Sequence, residues 1–394
     1  MRARPLTARG AACLLLGVVL CAAANILAAR ALLYVGVLLI VLPLIALLAV
    51  RAPRRRGEVW RQISTDLLAV GETSRVTVRF ELYAPGIPRG RWSDTLPEAV
   101  RGDATGEYPG ETRLLHYDLE GVRRGTATLG PLLLRTVDPF GLAQRVQAFG
   151  ETRMITVVPQ VVALAPLPTK LGAAGGAAQA RSTRVGQGAD NLIPRAYLSG
   201  DSRRRIHWRA TAHRGSLMVR QEEEEASPDA VVVLDRAASR WQSAGGAVDP
   251  AFEAAVSLCA SAALRFAQDG YSVDVFDSAG SLLGALRGHE GDRDGLLVAL
   301  ATVTPRGDSR DLRTIVGGTP PGPLVVVTGA IDPDAAARLS TAGASAPMLI
   351  AAGARADALA VAADRGWNVA ALPPTANPAD VWEAALPQAK AAHD

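Results

Sequence analysis

The sequence predicts a multi-domain protein with an N-terminal transmembrane helical hairpin, a small all-β sandwich-like domain and a C-terminal doubly wound α/β domain. Three observations support this fold class. Two uncharged apolar runs come first, short alternating runs broken by Gly and Pro follow, and strand-like and helix-like patterns then alternate. The length of 394 residues favours two or three structural units. The predicted bounds are 10–50 for the hairpin, 57–162 for the β domain, 163–194 for a flexible linker, 195–228 for an arginine-rich segment and 229–394 for the α/β domain.

The two apolar runs, residues 10–29 and 31–50, each have the length that a transmembrane helix needs. A cleaved signal peptide is the alternative for the first run, but the second run favours a hairpin. Three arginines precede the first run, four crowd "RAPRRR" after the second, and only Arg30 lies between. The positive-inside rule therefore predicts a two-pass protein of the plasma membrane, with both ends and all soluble domains in the cytoplasm.

Charge is distributed unevenly along the chain. Residues 1–56 hold eight arginines and no acidic residue, so the net charge of +4 for the whole chain leaves −4 for residues 57–394. A chain-wide surface for nucleic acid is therefore excluded. Cys13, Cys21 and Cys259 have neither metal-ligand nor disulfide spacing, and we expect them to be small buried side chains.

Residues 57–162 predict an antiparallel sandwich or barrel. "SRVTVRFEL" alternates between apolar and polar residues, and "TRLLHYDLEG", "TATLGPLLLRTV" and "TRMITVVPQ" are further strand-like runs without a long helical pattern between them. The following segment is rich in Gly, Ala and Pro, which is typical of a linker. Its "GAAGGA" lacks the Lys-Ser/Thr ending of a phosphate-binding loop.

From residue 229 onward, strands and helices alternate, which predicts an open α/β sheet. A long helix should end at Gly270, and "SLLGALRG" should add an antiparallel edge strand. The other predicted helices lie near 292–303, 333–342, 355–365 and 378–391. The predicted parallel strands are "DAVVVLD", "YSVDVFD", "PLVVVTG", "APMLIAAG" and "WNVAAL".

This order of elements resembles a von Willebrand factor A-type domain. Such domains often hold a divalent cation through Asp-x-Ser-x-Ser, and "DRAAS" here keeps Asp235 and Ser239 but has Ala237 between them. Thr328 is followed by Gly329 instead of the usual Asp. A hard cation needs about six oxygen ligands, so we expect a degenerate site that holds no metal, and no cofactor elsewhere.

The stretch "YLSGDSRRRIHWRATAHRG", residues 197–215, combines arginines with apolar side chains. We expect a turn at Gly200 and a helix that begins with Asp201 as its cap and ends near Gly215. On that helix Ile206, Ala210 and His213 would form one inward stripe. Trp208, beside Tyr197, would be a buried wedge that anchors the segment. We therefore interpret the stretch as a structural seam that joins the α/β sheet to the rest of the cytoplasmic part, with a pure docking patch as the alternative.

Three arginines of this stretch, Arg203, Arg204 and Arg209, would remain exposed for an acidic surface of a partner. Binding of nucleic acid is not expected, because Glu222–Glu225 cancel the local positive field. We found no nucleophile elbow, Walker loop or metal-ligand cluster in the sequence. An acid/base pair of Asp201 and His207 is the enzymatic alternative, although Asp201 as a helix cap is the simpler interpretation.

The longer stretch "LIPRAYLSGDSRRRIHWRATAHRGSLMV" resembles the signature of the bacterial domain of unknown function 58 (DUF58) family. "RRGTATLGPLLLRTVDPFGLAQR", residues 123–145, and the double membrane span resemble that family too, so the likeness covers almost the whole chain. Ala196 departs from it, since many relatives have an acidic residue there. The matching signature residues are Arg195, Tyr197, Gly200, Asp201, Arg205, Ile206, Trp208, Ala212 and Leu217.

The resemblance implies context more than chemistry, because the family has no established activity. Its members typically occur beside MoxR-type ATPases of the AAA+ class and transglutaminase-like membrane proteins. We therefore expect a membrane-anchored adaptor or scaffold that contacts such a MoxR-type ATPase and the lipid bilayer, possesses no catalysis of its own and binds no nucleic acid. A divalent-cation-dependent binding protein is the other alternative. The expected partner-binding or signature residues are Arg195, Tyr197, Gly200, Asp201, Arg203, Arg204, Arg205, Trp208 and Arg209.

Overall fold

The structure is a computed structural model, and the chain in it divides into two compact units. The first unit contains residues 1–160 and 297–303, and the second contains residues 161–296 and 304–394. The structure describes residues 5–51, 56–65, 67–83, 90–108, 114–168, 192–196, 206, 208–222, 228–241, 249–307, 322–341 and 343–387.

The first unit begins with two apolar helices, α1 (Ala8–Leu27) and α2 (Arg30–Arg51). They confirm the predicted helices to within two residues at each end, and both are long and apolar enough to cross a membrane. Thr7 caps α1 by accepting a hydrogen bond from the Gly10 N–H at 3.1 Å. Ala28 has a φ of 49° and ends α1 just before the turn into α2.

Small residues form the contact between the two helices. Gly17 and Ala24 are buried on α1 and lie seven apart, while Gly36 and Pro43 are buried on α2. A Cβ on Gly17 would lie 2.8 Å from the Gly36 carbonyl oxygen. Such close backbone approach through small residues is typical of packed membrane helices. Most of the larger side chains point outward.

A β-rich region follows, in which three sheets surround one core. Their strand orders are β1–β3–β7–β5, β10–β9–β4–β6 and β2–β11–β8. β11 pairs with β2 in parallel and the other pairs are antiparallel. The strands are β1 (Arg56–Ile63), β2 (Leu68–Ala69), β3 (Thr73–Tyr83), β4 (Gly90–Asp94), β5 (Val100–Gly102), β6 (Thr105–Tyr108), β7 (Leu114–Gly121), β8 (Gly125–Leu129), β9 (Leu132–Val137), β10 (Gln144–Phe149) and β11 (Arg153–Val158).

The alternation in the sequence places alternate side chains of this region in the core. Leu115, Tyr117 and Leu119 of β7 are buried and pack with Val76 and Val78 of β3. The run "TATLGPLLLRTV" forms two strands, β8 and β9, because the chain breaks at Gly130, which has a φ of 93°. The all-β character predicted for this region is confirmed, whereas three sheets replace the simple sandwich.

The second unit contains a two-stranded sheet and a six-stranded sheet. β12 (Leu192–Ala196) pairs antiparallel with β13 (Met218–Glu222), and a short helix, α3 (Trp208–Arg214), lies between them in sequence. The large sheet has the order β16–β15–β14–β17–β18–β19, and β16 at one edge is its antiparallel strand. Its strands are β14 (Asp229–Leu234), β15 (Ser272–Asp277), β16 (Leu282–Leu286), β17 (Pro323–Thr328), β18 (Ala346–Ala351) and β19 (Asn368–Ala371).

In the part of this region that the structure describes, five helices alternate with the strands of the large sheet, which confirms the predicted α/β alternation. α4 packs against α8 through Phe266 and Trp382, whose rings are 5.8 Å apart. On the other side of the strands, Val231 and Val233 share a core with α6 and α7. Asp249 caps α4, and Gly270, with a φ of 90°, follows its end as predicted. The helices are α4 (Pro250–Gln268), α5 (Asp292–Ala301), α6 (Pro333–Arg338), α7 (Ala356–Asp364) and α8 (Pro378–Ala385).

The start of the predicted flexible linker lies against the second unit. The Trp382 Nε1–H donates to the Ala165 carbonyl at 2.8 Å, and the Val162 N–H donates to Ser261 Oγ at 2.9 Å. Leu164 between them is buried. Residues 163–168 are therefore held by α4 and α8, whereas residues 169–191 lie outside the described part of the chain.

Candidate functional site

The arginine-rich signature forms a small strand–helix–strand unit. β12 contains Arg195, whose backbone pairs opposite Val219 of β13, and α3 contains Trp208 and Arg209. Three of the predicted residues, Arg195, Trp208 and Arg209, therefore belong to this strand–helix–strand unit. The other predicted site residues lie outside the described part of the chain: Tyr197, Gly200, Asp201, Arg203, Arg204 and Arg205. His207 of the enzymatic alternative lies outside it too.

The helix of this unit is shorter than predicted. Ile206 precedes α3 and forms an antiparallel bridge with Val219, so it is not part of a helical stripe with His213, which is exposed. The predicted inward stripe is therefore wrong. The predicted end is confirmed, because Gly215 has a φ of 70° and its N–H donates to the Thr211 carbonyl at 2.9 Å.

Burial in this unit comes from the strand and not from the tryptophan. Met218 and Val219 at the start of β13 are only 3% and 4% exposed, and the Met218 N–H donates to Thr211 Oγ1 at 3.0 Å. Trp208 is 68% exposed, so the predicted buried wedge is wrong. Met218 of β13 therefore holds the last turn of α3 through Thr211, whereas Trp208, the first residue of α3, lies outside the core.

The exposed residues of α3 therefore include an aromatic ring and two arginines. Trp208, Arg209, His213 and Arg214 are exposed on the helix, and Leu217 just after it is 46% exposed. Tryptophan and arginine are the side chains that most often dominate the energy of protein interfaces. We call Trp208, Arg209, His213, Arg214 and Leu217 the α3 surface.

A second cluster lies at the carboxyl edge of the large sheet, where ligands of α/β sheets usually bind. Asp235 directly follows β14 and is fully buried. One of its oxygens, Oδ1, accepts from the Ala237 N–H at 2.9 Å. The other, Oδ2, accepts from Thr328 Oγ1 and from Arg240 Nη1, both at 2.6 Å. The carboxylate is thus fully paired within the protein.

This arrangement does not fit a divalent cation. The Arg240 guanidinium bonds the Asp235 oxygen and lies 3.5 Å from the Thr328 hydroxyl, so it supplies the positive charge between them. Ser239, which the sequence offered as a ligand, is exposed on the loop. Among the described residues, no group of three His, Cys, Asp or Glu side chains has a metal-binding arrangement.

The sequence analysis missed Arg240. The only available signal was a cation placed five residues after Asp235, and its direction depends on the short turn of 3-10 helix at Ala238–Arg240. That turn directs the Arg240 side chain back toward Asp235 at the end of β14.

A second arginine and carboxylate neighbour this pair. Arg236 Nη1 donates to Asp277 Oδ2 at 3.2 Å, and the Arg236 N–H donates to Ser278 Oγ at 3.0 Å. Burial lowers the pKa of the Arg236 guanidinium, and the like charge of Arg306 adds to that effect, while Asp277 opposes it. The edge is therefore a charge-compensated cluster in which each buried carboxylate has its own arginine.

Comparison with known proteins agrees with the signature segment. The family model described as "Protein of unknown function DUF58" matches residues 194–350. The match begins within β12 and ends within β18, so it includes the α3 surface and the Asp235–Arg240 pair. No curated protein matches the chain.

Proposed function

We propose that this chain, whose residues 194–350 match the DUF58 family model, is a membrane-anchored adaptor without catalysis of its own. Helices α1 and α2 hold it in the plasma membrane as a two-pass protein, and the soluble domains lie in the cytoplasm. The α3 surface binds an acidic patch on a partner protein. A MoxR-type AAA+ ATPase is the partner that the family resemblance favours, and a transglutaminase-like membrane protein is a further component.

The observation that carries the proposal is the exposure of Trp208. A tryptophan that is 68% exposed on a helix leaves a large apolar side chain in water, which a protein interface removes. The neighbouring Arg209 and Arg214 select an acidic partner over an apolar one, since complementary charge sets orientation and the rate of encounter.

The large sheet supports an adaptor role of the von Willebrand factor A type. Its order, with β14 central and the antiparallel β16 at one edge, suits the degenerate form of that fold. Because Arg240 occupies the position between Asp235 and Thr328, partner binding is independent of Mg²⁺ and Ca²⁺. The bond between Arg240 and Asp235 disfavours the cation-dependent alternative, whereas Asp201 and His207 of the enzymatic alternative lie outside the described residues.

The test is capture of a purified MoxR-type ATPase from the same organism by the full-length chain in detergent micelles. Trp208→Ala should weaken binding by about 2 kcal/mol, or roughly thirtyfold in Kd, as truncation of an interface tryptophan does. Its melting temperature should stay close to that of the wild type because the ring is exposed. Trp60→Ala is the matched control, since Trp60 is 48% exposed on β1 in the other unit, and it should bind normally.

Two results would refute the proposal. One is normal capture by the Trp208→Ala variant. The other is a large drop in its melting temperature, which would make Trp208 a structural residue. Binding that requires added Mg²⁺ would instead favour the cation-dependent alternative.

A further inference from the structure

The loop between β9 and β10 lies against the helical hairpin within the first unit. Leu142 and Ala143 form a buried cluster with Ala46 of α2, and Leu42 packs against that cluster. Ala46 lies five residues before the end of α2 at Arg51, which is roughly 7 Å along a helix that rises 1.5 Å per residue. The loop therefore reaches the level of apolar helix that would be surrounded by lipid in a membrane.

The backbone of this loop is paired by its own aspartate. The buried Asp138 carboxylate accepts from the N–H groups of Phe140 and Ala143. The Asp138 N–H donates to the Ala143 carbonyl at 3.1 Å, and the Gly141 N–H donates to the Asp138 carbonyl at 3.0 Å. Six backbone groups that water would otherwise satisfy, the N–H groups of residues 138, 140, 141 and 143 and the carbonyls of residues 138 and 143, are thus paired inside the loop.

The start of α1 pairs two more groups. Thr7 Oγ1 donates to the Gly141 carbonyl at 2.6 Å, and the Thr7 N–H donates to the Leu142 carbonyl at 3.0 Å. Gly10 permits this approach, since a Cβ there would collide with the Leu142 carbonyl oxygen. Irregular backbone is tolerated at membrane depth only when its polar groups are satisfied within the protein, and the bonds above satisfy most of the backbone groups of this loop.

One large side chain of the loop is left outside. Phe140 is 64% exposed although its neighbours Asp138 and Leu142 are buried. Two arginines lie near the loop. Arg145 Nη1 donates to the Val50 carbonyl at 3.3 Å and to the Arg51 carbonyl at 3.2 Å, at the end of α2, and a Cβ on Gly141 would lie 3.8 Å from Arg9 Nη1. An aromatic ring beside arginines is the composition that lies at the boundary between lipid headgroups and acyl chains.

We propose that Phe140 inserts into this boundary of an anionic lipid leaflet, so that the loop Asp138–Ala143 is a membrane contact in addition to the hairpin. The proposal rests on the membrane anchoring proposed above. It assigns the loop a lipid surface as its partner, with the ring in the acyl region and the arginines at the phosphates.

The test places an environment-sensitive fluorophore on single cysteines of the full-length chain in vesicles of phosphatidylcholine and phosphatidylglycerol. Phe140→Cys is the test position. Met154→Cys, which replaces a side chain 70% exposed on β11, is the control, and Leu44→Cys on α2 reports on the hairpin. Lipids with a nitroxide high or low on the acyl chain act as quenchers. The background carries C13A, C21A and C259A, and its melting temperature is checked against the wild type.

At position 140 we expect blue-shifted emission and quenching by the nitroxide near the headgroup end of the acyl chain. At position 44 we expect quenching by the nitroxide deeper in the acyl chain. At position 154 we expect no quenching. Quenching at 44 without quenching at 140 would overturn the loop contact alone. Absence of quenching at both positions would overturn the anchoring as well. Quenching at 140 but not at 44 would support the loop contact and overturn the spanning hairpin. Pro139→Cys, at the exposed neighbour, replaces the test variant if Phe140→Cys does not fold.

Discussion

Asp235 and Asp94 are buried carboxylates, and each is neutralised by an arginine that the sequence alone does not pair with it. Asp94 accepts from Arg61 Nε at 2.9 Å and from Arg61 Nη2 at 3.0 Å, across 33 residues. The sequence places Asp235 at the end of a strand, which is confirmed. Its pairing with Arg240 depends on a turn and on the neighbouring strand β17, so it could not be predicted from spacing.

Removing the cation of such a pair leaves a buried charge. Arg240→Ala should lower the free energy of unfolding by about 3 kcal/mol, because Asp235 loses its counter-charge in the protein interior. Arg240→Lys should recover part of this loss. Denaturant unfolding of the full-length chain in micelles gives the measurement. Arg355→Ala is the matched control, since the Arg355–Asp357 pair is exposed and such pairs contribute little.

Equal effects of Arg240→Ala and Arg355→Ala would contradict this interpretation. Titration of Mg²⁺ into the wild type should also give no saturable heat, because Arg240 already occupies the Asp235 oxygen. Micromolar binding that disappears in an Asp235→Ala variant would show that a cation replaces the arginine.

Tyr117 predicts an alkaline limit to stability. Its hydroxyl donates to Asp94 Oδ2 at 2.7 Å, and burial, followed by this hydrogen bond and the Asp94 charge, raises the pKa of Tyr117 far above its ordinary value. The folded state therefore holds the proton more tightly than the unfolded state, whose tyrosine pKa is about 10. The resulting stability is complete below a pH of about 10 and is lost as the pH rises above it.

Tyr117→Phe should remove this dependence while Arg61 still pairs with Asp94. The free energy of unfolding, measured by urea across the alkaline range, should fall more steeply with pH in the wild type than in the variant. Parallel pH profiles of the two proteins would argue against the buried hydrogen bond.

At the scale of elements, long patterns were predictable and short ones were not. Both apolar helices and all six strands of the large sheet follow from runs that extend over a whole element. In the β-rich region, the strands β1, β2, β4, β5, β6 and β10 were not predicted, because their runs of alternating residues are too short to indicate a strand outside its sheet. α8 ends at Ala385, earlier than predicted, since Leu386 precedes Pro387 and the residue before a proline disfavours helix.

The hairpin depends on a close approach of α1 and α2. A Cβ on Gly36 would lie 2.6 Å from Cys21 Sγ and 2.9 Å from the Gly17 carbonyl oxygen. Gly36→Leu should therefore separate the helices and lower the midpoint of unfolding in SDS. Val37→Leu is the control, because Val37 is 47% exposed on the next position of α2. Equal midpoints for the two variants would exclude this packing.

At the scale of the whole molecule, the order of the structural regions could be predicted from the sequence. Which residues of the candidate site are exposed could be predicted only in part. The hairpin, the β-rich region and the α/β region follow one another as the sequence predicts. The exposure of Trp208 was not predicted, because a large apolar side chain beside Tyr197 suggests a core position. The buried side chains of this segment are Met218 and Val219 of β13. Their burial depends on the pairing of β13 with β12, which the sequence does not indicate.

The arginine distribution predicts that both ends of the hairpin face the cytoplasm. A reporter fused after Asp394 should therefore be active only if it is a cytoplasmic type. A fusion after Arg30, between the two helices, is the control and should show the opposite, periplasmic behaviour. Periplasmic activity of the fusion after Asp394 would reverse the assignment.

The contact between Thr7 and residues 141 and 142 has a consequence for biosynthesis. These partners are 134 and 135 residues apart in the chain, and a ribosome that adds about 5–20 residues per second needs on the order of ten seconds to cover that distance. The two helices are synthesised long before the loop exists, so in the proposed two-pass topology the insertion machinery would receive a hairpin whose cytoplasmic ends are still unpaired. The loop of the β-rich region would then bind the ends of both helices, and it could do so only after insertion has brought those ends together.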